Sequence, residues 1–295
     1  MTHISKEGKF NENSSIIDAE FFKLKNTLSL YVLENEGERL LIDTGETLTA
    51  RKIVKKLKEF NLYPIQKIFL SHAHWDHIQA LPRLKKLMKD TEIEVLAHVN
   101  SIDILKHPEK MNEYFGYSVE PIEDVTPLKE GDVIDLNGFE LRVVELFGHT
   151  QDSIALLDEK NKNILVGDAI IDMLEENTYF PVLFGPAFSE DSLLNTYKKL
   201  RGMKDELNAI SLAHFGVYTD DDFHNLVDNV ENLYFKAKNA IIQFYNENPN
   251  VDYVTEKYLE TIIPNSKIFS KDSIHGVQWN IEQNIQCLKA AGFLK

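Results

Sequence analysis

Four potential metal ligands lie within six residues of one segment, His72-Ala73-His74-Trp75-Asp76-His77. The whole chain has ten histidines, and at this composition such a pattern is expected by chance in about one chain in a thousand. Imidazole and carboxylate groups without thiolates suit zinc, iron or manganese. We therefore predict a metal site at this segment, which we call the ligand loop (72–77). A complete site needs further ligands from elsewhere in the chain.

Three later apolar runs each end at a single histidine or aspartate beside a glycine. The three runs end at Gly148-His149-Thr150, Gly167-Asp168 and His214-Phe215-Gly216. Glycine lets the backbone turn sharply at such a point. Rigid strand ends that face one cleft can hold ligands together, so His149, Asp168 and His214 are candidate partners of the ligand loop.

Short strands are predicted to position these residues. An apolar run, Lys67–Leu70, leads directly into the ligand loop and is too short for a helix. Further strands are predicted at Ser29–Leu33, Arg39–Asp43, Glu92–Ala97, Asp132–Leu136, Glu140–Leu146, Ser153–Leu157, Ile164–Asp168 and Ala209–Ala213. Apolar spacing of three and four residues predicts helices at Thr47–Phe60, Ile78–Lys89 and Ser192–Lys204. The stretch between the strand at Glu92–Ala97 and about Asp124 has no clear period.

The organisation changes at about residue 220. Three aspartates open a long segment with helical apolar spacing, which Asn248-Pro249-Asn250 ends. Two shorter helices are predicted at Tyr253–Ile262 and Val277–Ala291, with Gly292 as a C-cap. We therefore predict two domains, a catalytic domain at 1–220 and an all-helical extension at 221–295.

At this point the sequence resembles the metallo-β-lactamase superfamily of metallohydrolases. The signature of that family is an H-x-H-x-D-H loop, a later Gly-His-Thr, a Gly-Asp and a final His, and all these positions match in order between about residues 28 and 216. The turn Ile42-Asp43-Thr44-Gly45 matches as well. The resemblance implies the α+β class: an αββα sandwich with the metals at one edge, here followed by the helical extension of a hydroxyacylglutathione hydrolase-like or β-lactamase-like subgroup.

The resemblance also implies a ligand set, and these residues are at once the catalytic residues. His72, His74 and His149 would hold the first metal. Asp76, His77 and His214 would hold the second, and Asp168 would bridge both. A hydroxide shared by the two metals would be the nucleophile. Two zinc ions per chain are expected, with iron and manganese as alternatives.

Residues around the ligands are expected to orient the imidazoles. Asp43 and Thr150 are candidates, and Ser71 is a weaker one for which an ordinary turn role is favoured. Trp75 is interpreted as loop packing. The remaining histidines are interpreted as structural or solvated; they are His3, His98, His107, His224 and His275.

Composition excludes several classes of function. The chain carries a net charge of −15, which argues against general nucleic-acid binding. No leader-like or membrane-spanning run is apparent, and Cys287, the single cysteine, is expected to be a small buried residue. A cytoplasmic protein with a small-molecule substrate and no membrane partner is expected, and the oligomeric state is left open.

The leading hypothesis is a dinuclear hydrolase of a small ester, thioester or lactone. Two alternatives are a metal-dependent phosphodiesterase or endoribonuclease and a mononuclear iron dioxygenase of the persulfide type. The diiron flavoprotein branch of the family is disfavoured because it has Glu at the position of His74, and the lactonase branch lacks support because Ile171 replaces its Tyr. The end of the extension resembles a winged-helix appendage of some endoribonucleases, but a helical cap that packs on the core explains the same apolar spacing.

Overall fold

The computed structural model describes residues 3–269 and 274–295. The strands in these residues are β1 (His3–Ile4), β2 (Gly8–Lys9), β3 (Ser14–Asp18), β4 (Ser29–Asn35), β5 (Glu38–Ile42), β6 (Lys67–Leu70), β7 (Glu94–His98), β8 (Val125–Leu128), β9 (Val133–Leu136), β10 (Phe139–Glu145), β11 (Ile154–Asp158), β12 (Asn163–Leu165), β13 (Ile171–Glu175), β14 (Thr178–Pro181), β15 (Ala209–Leu212) and β16 (Gly216–Thr219). The α-helices are α1 (Ala50–Glu59), α2 (Trp75–Ile78), α3 (Leu81–Leu87), α4 (Ser101–Lys106), α5 (Glu109–Phe115), α6 (Glu190–Met203), α7 (Asp220–Glu247), α8 (Val251–Thr261) and α9 (Ile274–Ala290).

Most of the strands form two sheets. The described strands of the first sheet follow the order β2-β3-β4-β5-β6-β7-β8, and those of the second follow β1-β16-β15-β12-β11-β10-β9. Strands β5 to β8 run parallel to one another, and β12 runs parallel to β15. Parallel neighbours deliver their carboxyl ends to the same edge of a sheet, and these ends carry most of the predicted ligands.

The apolar core lies in layers on both sides of the first sheet. Leu40 and Ile42 of β5 belong to the cluster shared with the second sheet, whereas Leu41 between them packs with residues of α1 and α3 such as Ile53 and Leu81. This alternation follows from the two-residue period of a strand. The predicted α+β sandwich flanked by helices is therefore confirmed.

The helical extension packs on the second sheet. Helix α7 contacts α6, β14 and β16, and its Tyr234 and Ile241 lie in the same apolar cluster as Tyr197 of α6. All three elements of the described residues after 219 are helices, so the predicted helical extension is confirmed. The division into two domains at residue 220 and the winged-helix interpretation stay predictions. The extension shares an apolar core with the sandwich.

The structure differs from the sequence predictions in several places. Strands β1, β2, β3, β8 and β16 lie in segments for which no element was predicted. The helix predicted at 78–89 is instead the pair α2 and α3, because Pro82 begins a new helix at its first turn. Helices α4 and α5 occupy the stretch without a clear period, and the hairpin β13–β14 lies in a segment for which no element was predicted.

None of the described helices has the length and apolar character needed to cross a membrane. Cys287 is 1% exposed, as predicted.

Candidate metal centre

The ligand loop connects β6 to α2. His72 is buried just after β6, and Asp76 and His77 lie in the single short turn of α2. The turn after β5 holds the loop in place, because both the backbone N–H and the hydroxyl of Thr44 donate hydrogen bonds to the carbonyl of His77, at 2.7 and 2.8 Å. The carboxylate of Asp152 accepts the N–H of Ala73 at 2.9 Å. Hydrogen bonds from neighbouring residues to the backbone of the loop therefore hold it in place.

The other predicted ligands come from the second sheet. His149 follows β10, Asp168 follows β12 and His214 follows β15. Two of these strand ends approach their neighbours so closely that only glycine fits beside them. A Cβ at Gly148 would lie 2.4 Å from the Cα of Leu193, and a Cβ at Gly167 would lie 2.8 Å from the Cβ of Ser71.

The first predicted ligand group forms a tight triangle. The Nε2 atom of His149 lies 3.2 Å from Nε2 of His72 and 2.9 Å from Nδ1 of His74. These three residues form one of the clusters whose ligand atoms all lie within 4.8 Å of one another. Three nitrogen atoms facing one point suit a cation with nitrogen ligands.

The second predicted group lies beside the first. Asp76, His77 and His214 form another such cluster, with Oδ2 of Asp76 at 3.5 Å from Nε2 of each histidine. Oδ2 of Asp168 lies between the groups, 3.2 Å from Nε2 of His77 and 3.7 Å from Nε2 of His149. The structure thus brings all the predicted ligands into one site and places Asp168 where a bridging ligand would lie.

The second ring nitrogen of most of these histidines contacts an acceptor. Nδ1 of His149 lies 3.0 Å from the carbonyl of Val182, and Nδ1 of His214 lies 2.5 Å from the carbonyl of Thr27. A carbonyl oxygen can only accept a hydrogen bond, so Nδ1 must carry the proton. In the neutral ring the lone pair is then on Nε2, which faces the centre.

Asp43 and Ser71 fix the remaining two rings. Oδ2 of Asp43 lies 2.8 Å from Nδ1 of His77 and 2.8 Å from the hydroxyl of Ser71, which lies 3.1 Å from Nδ1 of His72. Ser71 therefore contacts a ligand ring, which its expected turn role did not include. The hydroxyl of Thr150 instead pairs with that of Ser153 at 2.7 Å, so it has a local role rather than the predicted one.

Burial and charge act differently on the two ligand groups. Burial lowers the pKa of His74 to about 3, and burial together with neighbouring imidazoles lowers the pKa of His72 well below its usual value. In the second group burial opposes the charged rings, but the neighbouring carboxylates outweigh it and raise the pKa of His214 to about 10 and that of His77 well above its usual value. Neutral imidazoles bind metals, so a cation at the second group would displace protons from these two rings.

One further observation indicates that these residues fit a metal pair. Nε2 of His77 and Oδ1 of Asp168 are buried and have no well-aligned hydrogen-bond partner among the described residues. Buried polar atoms almost always have a partner, and both of these atoms belong to the clusters described above. A cation would satisfy both.

One residue of the site was missed by the sequence analysis. Asp172 of β13 is buried and forms a cluster with Asp168 and His214, and burial raises its pKa to about 8. The only sequence signal was its alternation with Ile171 and Met173, which was not interpreted as a strand.

The centre opens into a narrow cleft of about 60 Å³. Its lining includes several of the proposed ligands and a set of aromatic side chains. Trp75 packs in the loop as predicted, with its ring stacked 3.7 Å from that of Tyr117, but it also lines the cleft.

Comparison with known proteins agrees with this geometry. The sequence model of the metallo-beta-lactamase superfamily matches residues 28–214. Hydroxyacylglutathione hydrolase GloC of Haemophilus influenzae is 24% identical over 209 residues, which cover 70% of this chain and 92% of that protein. Acyl-coenzyme A thioesterase MBLAC2 of Gallus gallus is 23% identical over 175 residues, which cover 53% of this chain and 62% of that protein.

The fold is also similar to that of a solved structure. An archaeal metallo-beta-lactamase superfamily protein of Sulfolobus tokodaii gives a TM-score of 0.66 at 17% identity, covering 95% of this chain and 99% of that one. The chain spans less than two thirds of the length of the first curated relatives that it matches, for example 62% of the thioesterase. Because the superfamily model matches well over half of the chain and the sandwich agrees with it, this protein belongs to the metallo-beta-lactamase superfamily.

Proposed function

We propose that this protein is a dinuclear metal-dependent hydrolase that cleaves a small thioester, with esters and lactones as related substrates. The observation that carries the proposal is the convergence of two ligand groups on the carboxylate of Asp168. The thioester class is supported by relatives named as a hydroxyacylglutathione hydrolase and an acyl-coenzyme A thioesterase. A cytoplasmic location is part of the same proposal.

Two zinc ions would be held by the ligand groups described above, His72, His74 and His149 on one side and Asp76, His77 and His214 on the other. Asp168 would contact both. Bound divalent metals lower the pKa of coordinated water towards about 7 and polarise a carbonyl group.

Residues of the protein would orient the imidazoles, hold the ligand loop and exclude water. Asp43 and the backbone carbonyls hold the imidazoles with Nε2 directed at the centre, so little rearrangement is needed when substrate arrives. The ligand loop is fixed by Thr44 and Asp152, which keeps the two groups at a constant separation. The apolar side of the cleft removes water from around the scissile carbonyl.

The test is a substrate panel with the purified, zinc-loaded protein. We expect hydrolysis of thioesters, loss of activity on chelation, and at least a hundredfold fall in kcat/KM for Asp76→Ala. Asp124→Ala, at an exposed aspartate outside the site, is the matched control and should retain activity.

The same panel tests the other hypotheses. Cleavage of bis-p-nitrophenyl phosphate or single-stranded RNA without cleavage of any thioester, ester or lactone would contradict the proposal in favour of a phosphodiesterase. Elemental analysis that finds one iron per chain, together with oxygen uptake on a persulfide, would contradict it in favour of a dioxygenase.

A further inference from the structure

Buried and partly buried aromatic rings line the cleft beside the proposed ligands, and we call them the aromatic wall. Phe21 and Phe22 come from the turn after β3, Phe115 from the end of α5, Phe184 from the segment after β14, and Trp279 from α9. The ring of Trp279 contacts that of Phe22 at a centroid distance of 5.5 Å and stacks on that of Phe184 at 5.9 Å. Apolar walls with a few directed polar groups are typical of sites for small organic ligands.

These rings reach the centre itself. Each of three rings contacts an imidazole of the proposed ligand set, with centroid distances of 5.0 Å for Phe115 and His74, 6.0 Å for Phe184 and His149, and 5.6 Å for Phe21 and His214. A substrate whose carbonyl lies at the centre must therefore place one of its substituents against the aromatic wall.

Helix α9 contributes part of the wall of the cleft. Gly276 and Trp279 are three residues apart and Asn280 is one further, so all three lie on one face of the helix, and all line the cleft. A Cβ at Gly276 would lie 3.3 Å from Cε1 of Phe269 and 3.9 Å from Cδ1 of Leu24, two other lining residues. A larger side chain at Gly276 would project into this space.

The lining of the cleft away from the proposed metals disfavours an anionic substituent. Among the described residues that line the cleft, none is a lysine or an arginine. A carboxylate placed against the aromatic wall would have no cationic side chain of these residues to pair with, and burying an unpaired charge is costly.

We infer that the acyl group of the substrate is apolar and bulky, a medium-length aliphatic or aryl group, and that Trp279 and Gly276 of α9 determine the acyl size that is accepted. This inference rests on the proposed thioester hydrolysis. In this arrangement the aromatic wall binds the acyl chain.

The experiment compares N-acetylcysteamine thioesters of acetate, butyrate, hexanoate and octanoate, which share one leaving thiol. We expect kcat/KM to rise about fourfold for each buried methylene group, which corresponds to ~0.8 kcal/mol, until the cleft is filled. The succinyl thioester should be hydrolysed at least tenfold more slowly than the butyryl thioester, which has the same chain length without the carboxylate.

Two variants of α9 test the named residues. Trp279→Ala should flatten the dependence on chain length, and Gly276→Leu should lower the octanoyl-to-acetyl ratio of kcat/KM at least tenfold. Gln286→Leu adds the same side chain at an exposed position of α9 and should leave this ratio unchanged.

A binding measurement separates this inference from the proposed function. Both tryptophans of the chain line the cleft, so an octyl thioether analogue, which cannot be hydrolysed, should quench the fluorescence of the protein as purified more strongly than an ethyl analogue at equal concentration. Thioester hydrolysis with no dependence on chain length would overturn the inference and leave the function intact. Absence of all hydrolysis would overturn the function, and chain-length-dependent quenching would then still support the apolar pocket. Equal quenching by both analogues would overturn the pocket.

Discussion

Asp43 lies directly behind the centre and contacts two residues of the ligand region, Ser71 and His77. Its carboxylate accepts the N–H and the hydroxyl of Ser71 and pairs with Nδ1 of His77 at 2.8 Å. Its backbone lies in the left-handed region, with φ of 62°, which aspartate and asparagine tolerate better than most residues. Asp43 is thus a positioning residue, and its charge can be removed without changing its backbone.

We predict that Asp43→Asn lowers the affinity of the second ligand group for metal by about 10–100-fold. An amide NH₂ facing Nδ1 of His77 favours the tautomer that carries its proton on Nε2, and this proton blocks the lone pair needed by a metal. Competition with a chromophoric chelator measures the affinity, and metal content should fall from two ions towards one.

The control is Asp124→Asn, at another aspartate with positive φ, 55°, and far from the site in sequence. It should bind metal as the wild type does. Unchanged affinity in Asp43→Asn would show that the contact with His77 does not determine its tautomer.

At the scale of elements, the centre depends on how closely strand ends approach their neighbours. Gly148 directly precedes His149, and its missing side chain lets the turn after β10 rest against the first turns of α6. The N–H of Ser189 bonds to the carbonyl of Gly148 at 2.8 Å, which joins the turn to the N-cap of α6.

We predict that Gly148→Ala lowers the free energy of unfolding by about 3 kcal/mol, at the upper end of the cost of overpacking. The added methyl group would overlap backbone atoms of Leu193, which cannot move without shifting α6. Urea unfolding of the zinc-loaded protein measures the change, and metal binding should weaken because His149 moves with the turn.

Gly131→Ala separates this clash from backbone strain. Gly131 also has positive φ, 83°, but no atom lies within 4 Å of the position that a Cβ would take there, so only the strain should remain. Equal losses of stability in the two variants would show that the contact with Leu193 is unimportant.

The sequence predicted the elements that carry the centre better than those that surround it. The run Lys67–Leu70 matches β6 residue for residue, because its last three residues are apolar and buried, as is typical of a parallel strand. Strands β13 and β14 were missed since they form a separate hairpin of short, mixed runs, and Asp172 was missed with them. Helices α4 and α5 are too short to show a period.

The candidate site was predicted in part, since its ligand residues were identified from the sequence and its aromatic wall was not. The ligand loop was predicted from local spacing, and the partners His149, Asp168 and His214 from their positions at strand ends. Their roles as ligands stay a proposal. The aromatic wall could not be predicted, because Phe21, Phe115 and Trp279 are far apart in sequence and share no motif.

At the scale of the whole molecule, the two sheets meet at the centre. Bound metal would therefore link the first sheet, through the ligand loop, to the second. We predict that chelation lowers the unfolding temperature by about 5–10 °C, since a ligand present at a hundred times its Kd stabilises the native state by ~2.7 kcal/mol. Differential scanning calorimetry measures the shift, and added zinc should restore it.

A variant that lacks a proposed ligand provides the control. His149→Ala should show a smaller shift on chelation than the wild type. An unchanged unfolding temperature after the zinc has been removed, shown by elemental analysis, would mean that the metals do not couple the sheets.

The separation of the strand ends along the chain has a consequence for biosynthesis. The imidazole of His214 bonds to the carbonyl of Thr27, 187 positions earlier, and the centre draws on both sheets. The segment through residue 214 must therefore leave the ribosome before the complete pocket exists. Until then the emerging polypeptide offers the ligand loop without His214, so the full set of proposed ligands comes together only when the two halves of the sandwich dock.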